Sequence, residues 1–239
     1  MALDNRRIAT GIGTTAERAD IDVGLRKYML GVYNYMASGL LLSGVVALLV
    51  ASSPALLQAI FGTPLKWLFI LAPLGFVFAL SMGVNRFSYG TLQALFWAFA
   101  AVMGVSLATV FVVFTGASIA RVFFITAATF AATSLYGYTT QRDLSGFGSF
   151  LFMGLIGIII ASLVNLFLQS SALQFAVSVI GVLVFTGLTA YDTQRIKEIY
   201  YEVQGTEFVG KSMIMGALSL YLDFINLFYM LMNLLGERR

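Results

Sequence analysis

Seven long apolar runs, joined by short polar connections, constrain this chain more than any other feature. They cover Tyr28–Val50, Trp67–Val84, Thr91–Phe114, Ala120–Thr140, Ser149–Leu168, Ala172–Asp192 (extendable to Lys197) and Ser212–Leu235. Roughly 20 apolar residues in a helix cross the hydrocarbon core of a bilayer. No water reaches that core, so every backbone N–H and C=O must find its partner within the protein. Only helices and closed barrels achieve this. A barrel strand alternates between lipid-facing and lumen-facing residues. These runs are apolar without alternation, so an all-α integral membrane protein with seven transmembrane helices is expected. Composition agrees: charged residues are 10% of the chain, against about a quarter in a soluble globule. The longest connection, 193–211, leaves no room for a soluble domain.

Residues 1–27 are polar and mixed in charge, and are expected to form a flexible N-terminal tail ahead of a membrane domain over 28–235, with a short C-terminal tail over 236–239. The tail does not resemble a cleavable signal peptide, because the first apolar run starts late and is too long. Positive charge sets orientation. Ten Lys and Arg residues fall on the tail's side, among them Arg26, Lys27, Arg86, Arg142, Arg195, Lys197 and Lys211. Lys66, Arg121, Arg238 and Arg239 fall on the other. The tail is therefore expected in the cytoplasm. A seventh segment that turned back would move Arg238 and Arg239 inside, but Ser212–Leu235 is long enough to cross.

The chain has no Cys and no His. That excludes disulfides, thiolate and Ser-His-Asp catalysis, and zinc sites built on either residue. The net charge of +3 is too small and scattered for nucleic acid. Helices in lipid associate through small residues and interhelical polar contacts. Gly39 with Ser43, Gly154 with Gly157, Gly181 with Gly187, and the amides of Asn34, Asn165 and Asn226 are candidates for both. Pro73 falls inside the second span and is expected to kink it, since it removes one helical hydrogen bond.

Of the eleven acids, nine lie in the tail, the connections or the terminus. Asp223 lies eleven residues past Ser212, about 16 Å along a helix and so near the midplane. Asp192 closes the sixth span. An ionised carboxylate in hydrocarbon costs at least about 2.5–3.5 kcal/mol, so such residues face the bundle interior and tend to have partners. Asp223 can serve as a neutral, hydrogen-bonded link between helices, and Asp192 can pair with Arg195 one turn on. The two also lie on consecutive helices, where an antiparallel pairing is easy. Two carboxylates in contact cannot both ionise cheaply, and titrate as a unit. Oxygen ligands in a narrow cavity also suit a hard cation such as Ca²⁺.

Tyr191-Asp192-Thr193-Gln194, and Ala217-Leu218-Ser219-Leu220-Tyr221-Leu222-Asp223-Phe224-Ile225-Asn226-Leu227-Phe228, resemble the Bax inhibitor-1 family, also called transmembrane Bax inhibitor motif proteins. The resemblance implies a central seventh helix wrapped by two groups of three. It also implies a pH-sensitive Ca²⁺ leak with Asp192 and Asp223 as the proton-sensing pair and ion site, and Tyr191, Tyr221 and Asn226 around them. Calcium is then the transported species, with no organic cofactor. A monomer is expected, and the short loops with no apparent eukaryotic sorting signal point to a bacterial inner membrane. In some bacterial relatives an arginine at the inner end of the second span latches onto the first aspartate. The matching position here is Gly83. Arg86 reaches back only if that helix continues; otherwise the latch is absent or Arg195 replaces it.

Two other classes remain open in the sequence. Intramembrane aspartyl proteases also place aspartates on their sixth and seventh spans, the first within Tyr-Asp, as in Tyr191-Asp192. Their second aspartate follows Gly-x-Gly, whereas Asp223 follows the bulky Tyr221-Leu222. A membrane-embedded regulator acting through partner proteins is the other class. A secondary transporter also stays open, although the sequence shows no clear inverted repeat.

Overall fold

The computed structural model describes the backbone of residues 2–239 and the side chains of residues 23–239. The flexible tail expected over 1–27 therefore lies mostly outside the described side chains. The helices are α1 Ala2–Ala51, α2 Pro54–Phe61, α3 Leu65–Gly83, α4 Tyr89–Val113, α5 Gly116–Thr139, α6 Ser145–Leu168, α7 Ser171–Val203 and α8 Phe208–Leu235. Seven are long and apolar enough to cross a membrane, α1 through its Val23–Ala51 portion. Short connections are possible because polar residues cap the helix starts. Ser53, Ser88, Thr115 and Ser170 each accept a backbone N–H from the first turn that follows.

Two elements differ from the hydropathy reading. The short helix α2 occupies the first connection, opened by Pro54 at its first position. The sixth span does not stop at Asp192 or Lys197 but runs on to Val203. The connection 193–211 thus shrinks to Gln204–Glu207. Hydropathy ends where Arg195, Lys197 and Glu198 begin, yet Ile196, Ile199, Tyr200 and Val203 keep the helical spacing of an apolar stripe. That stripe is used. Ile196 packs at Gly216 of α8, and the Tyr200 ring lies 5.2 Å from that of Tyr28 on α1.

The outer helices show the environment they are built for. α3 and α6 expose Leu68, Leu71, Phe78, Phe150, Met153 and Phe167, an apolar surface suited to lipid. α4 lies against α1 and α3, α7 lies against α5 and α6, and α8 packs on α1, α4, α5 and α7. α8 is the most buried of the seven. It crosses completely: Thr115 N–H donates to the Glu237 carbonyl (2.9 Å), and Arg239 N–H to that of Val113 (3.0 Å). Arg121 and Glu237 form an ion pair at 2.7 Å beside them. The C-terminus therefore ends at the α4–α5 connection, on the face opposite the α7–α8 turn.

Small residues set the helix spacing. A Cβ at Gly104 would come within 2.6 Å of the Ser43 carbonyl oxygen, so α4 meets the α1 backbone there. Gly137 meets the Ala190 backbone in the same way, joining α5 to α7. Gly39, Gly154, Gly181 and Gly187 face neighbouring side chains as expected, but Gly157 faces open space. The three amides do not bridge helices. Asn34 is exposed, Asn165 accepts the Ser170 N–H in the turn before α7, and Asn226 donates to Leu222 of its own helix.

Pro73 leaves α3 unbroken. Lacking an N–H, it frees the carbonyl four residues earlier, at Phe69. Ser106 of α4 donates its hydroxyl to that carbonyl at 2.6 Å. Replacing Ser106 by Ala is expected to cost about 1 kcal/mol, the scale of an interhelical hydrogen bond in lipid. That lowers the Tm in detergent by about 2–4 °C. The loss should shrink in a Pro73→Ala background, where an N–H is restored, and a double-mutant cycle measures the difference.

Candidate functional site

The four residues of Tyr191-Asp192-Thr193-Gln194 occupy one turn of α7, so they point to four different neighbours. The Tyr191 ring lies on Gly148 of α6, where no Cβ would fit. Gln194 clamps the α5–α6 connection, accepting the Leu144 N–H and donating to the Arg142 carbonyl, both at 2.8 Å. Thr193 donates to the Thr189 carbonyl at 2.7 Å. Its oxygen then accepts from Ser134 of α5 (2.9 Å), which in turn accepts from Tyr33 of α1 (2.7 Å). A single directed chain of hydroxyls thus links α1, α5 and α7. Asp192 is the residue of the four left to face α8.

There it meets Asp223. The two side chains lie within hydrogen-bonding range of each other across the α7–α8 interface. Asp223 is 5% exposed, and its Oδ2 has no protein partner. Two ionised carboxylates offer only acceptors, so a bond between them requires one proton. Both are deep. With α7 continuing to Val203, Asp192 sits about 16 Å from the end of its helix rather than at its end.

The pair lines a cavity of about 890 Å³. Its walls come from the end of α3 (Val84, Asn85), from α6 (Gly148, Phe152), from α7 and from α8 (Lys211, Met215, Ser219). On α8 the lining ends at Asn226. Beyond it Leu227, Phe228 and Leu231 are buried in packing, so the cavity is blind at that end. Its other end, at the α7–α8 turn, carries Arg195 and Lys211. Among the described residues no three acidic side chains come together. A cation in this cavity would meet two carboxylates, the oxygens of Ser219 and Asn226, and water.

The remaining site candidates divide. Asn226 and Tyr191 line the cavity. Tyr221 does not: its ring packs on Phe96 and Phe99, and its hydroxyl lies 2.7 Å from Ser43. Ser43 donates its own proton to the Ala100 carbonyl at 2.6 Å, so Tyr221 must be the donor to Ser43. That proton is turned away from Asp223. Arg86 is exposed in the turn after α3, which ends at Gly83 with the Phe87 ring packed upon it. It does not line the cavity. Arg195 does, but among the described residues the ion pair is Arg121–Glu237, and Asp192 has no arginine within that range. The sequence singles out neither Ser106 nor Ser134, and marks Gln194 only as the last residue of the Tyr191-Asp192-Thr193-Gln194 motif. Their one signal was a polar side chain inside or beside an apolar run.

Comparison with known proteins covers nearly the whole chain. A family model described as "Inhibitor of apoptosis-promoting Bax1" matches residues 25–239. An uncharacterized Rickettsia prowazekii protein, RP147, is 52% identical over 227 residues, covering 95% of this chain and 96% of its own. Inner membrane protein YbhL of Escherichia coli is 49% identical over 219 residues, 90% of this chain and 94% of its own. An uncharacterized membrane protein of Streptococcus pyogenes is 36% identical over 219 residues, 90% and 95% of the two chains.

Proposed function

This chain belongs to the Bax inhibitor-1 family, and from that premise we propose that it is a pH-sensitive calcium leak, gated by protonation of Asp192 and Asp223. It is a multi-pass membrane protein. In this reading it resides in a bacterial inner membrane, as the name of the E. coli relative says of that protein. The excess of Lys and Arg on the tail's side supports a cytoplasmic N-terminus, and with it a cavity mouth on the cytoplasmic face. The observation that carries the proposal is the meeting of two acids from consecutive helices near the blind end of a cavity of about 890 Å³.

The chemistry follows from one proton. While the pair shares it, a hydrogen bond ties α7 to α8. Once it is lost, two like charges about 4 Å apart repel by about 4 kcal/mol at an effective dielectric constant of about 20. A Ca²⁺ ion between the carboxylates relieves that repulsion, since hard cations take oxygen ligands. Separation of α7 from α8 relieves it too. Separation loosens the seam where Leu227, Phe228 and Leu231 close the path, whereas a bridging Ca²⁺ occupies the pair as the ion's binding step.

An arginine latch released by protonation would oppose this trend. Arg86 lies outside the cavity, and Arg195, which lines it and acts on Asp192 through its charge, makes no ion pair with it, so the opposing effect is the weaker one in this reading. Calcium flux into sealed vesicles holding the purified protein is therefore expected to rise between pH 5 and pH 8. Flux no greater than in protein-free vesicles across that range would overturn the proposal. Cleavage of a model transmembrane peptide, lost on replacing either aspartate by Asn, would favour the protease instead.

A further inference from the structure

α1 and α5 scarcely touch. Between them, at the tail end of the bundle, lies a second cavity of about 610 Å³. Arg26, Leu30, Ala131 and Leu135 form its rim and are exposed on the outside of the bundle. Met29 and Phe130 form a buried apolar floor. The polar atoms at the floor are already satisfied, because Tyr33 gives its proton to Ser134. α1 descends from Arg26 to Tyr33 as α5 ascends from Phe130 to Tyr138, so the groove runs about 12 Å along the helix axes. It is polar and basic at the membrane surface and apolar below.

Among the described residues the basic end carries charge without an acidic partner, and no carboxylate pairs with Arg26. Lys27 stands exposed beside it. Lys197 of α7 donates to the Tyr138 carbonyl at 2.9 Å and sits 5.9 Å from that ring. Asp143, in the adjoining connection, is occupied by the Ser145 N–H at 2.8 Å. A guanidinium offers a fork of donors that matches phosphate oxygens. Basic pockets between membrane helices near the surface suit anionic headgroups.

We propose that the α1–α5 groove binds an anionic phospholipid, its phosphate on Arg26 and the upper part of one acyl chain against Met29, Leu30, Phe130 and Leu135. The site is separate from the aspartate pair, and its test does not depend on ion flux.

Native mass spectrometry of the purified full chain is the test, with phosphatidylglycerol and phosphatidylcholine of identical acyl chains offered at equal mole ratio. Retention of phosphatidylglycerol over phosphatidylcholine is expected. Arg26→Ala should cut that retention about tenfold, the scale of one charge-assisted hydrogen bond, and Arg26→Lys should restore part of it. Ala131→Trp, which fills the groove from its exposed rim, should remove lipid of both kinds. Lys27→Ala should change little. Equal retention of the two lipids, or equal losses in Arg26→Ala and Lys27→Ala, would overturn the proposal. So would a dimer whose mass appears only when the groove is unfilled. Should Arg26→Ala fail to fold, Ala131→Trp decides the matter alone.

Discussion

With Asp223 replaced by Asn, calcium flux should stay low and flat from pH 5 to pH 8, while the unaltered protein varies several-fold. Asparagine has the shape of the protonated acid, and its N–H₂ group donates permanently to Asp192. The bond tying α7 to α8 then survives at every pH. Asp192→Asn should act the same way from the other side, with its amide donating to Asp223. Because the two carboxyls titrate as one unit, the double replacement should be no flatter than either single one. The measurement is dye-reported Ca²⁺ uptake by sealed vesicles at matched protein content. A pH dependence that persists in both single variants would remove the aspartate pair as the sensor. The effect should be clearest at Asp223, which is buried within α8 and whose Oδ2 has no protein partner.

Gly137→Leu should be the most damaging single change to the fold. The α5 backbone at Gly137 lies directly on the backbone of Ala190 in α7. A backbone cannot rotate aside as a side chain can, so the two helices must separate. Overpacking of this kind costs typically 1–3 kcal/mol and occasionally more. Here separation would also strain the Ser134–Thr193 bond one turn away and the turn of α7 that holds Asp192. Loss of about 3 kcal/mol or more is expected, read as a fall in detergent Tm of several degrees or as failure to fold. Gly157→Ala is the matched control. Nothing lies within 4 Å of its added carbon, and a helical Ala replaces a Gly, so it should be neutral or slightly stabilising. Similar behaviour of the two variants would refute the close-packing argument.

The two positions cannot be told apart in the sequence. Both are glycines on membrane helices, and Gly157 has the more suggestive spacing, three residues from Gly154. What a glycine contributes depends on the element facing it. The same holds for the amides: Asn226 looks like a bridge between helices, yet its donor goes to its own carbonyl ladder at Leu222. Tyr221, two residues from Asp223, looks like a supporting group. An i, i+2 spacing places side chains on different faces of a helix, and Tyr221 reaches Ser43 instead.

Apolar run length and the scarcity of charge are properties of the chain alone, and the bilayer acts on them directly. They suffice for seven crossing helices, and the cost of burying a carboxylate in lipid suffices to single out Asp192 and Asp223. The extension of α7 to Val203 was also legible in its apolar stripe, but hydropathy masks it because the stripe leaves the hydrocarbon. Side-chain direction is another matter, since it depends on residues far away along the chain. Ser106 caps a carbonyl freed by Pro73, Arg86 is turned out by the end of α3 at Gly83, and the two acids share one cavity because α7 and α8 pack in a single register. Each is a distance between separate helices, and only their packing sets it.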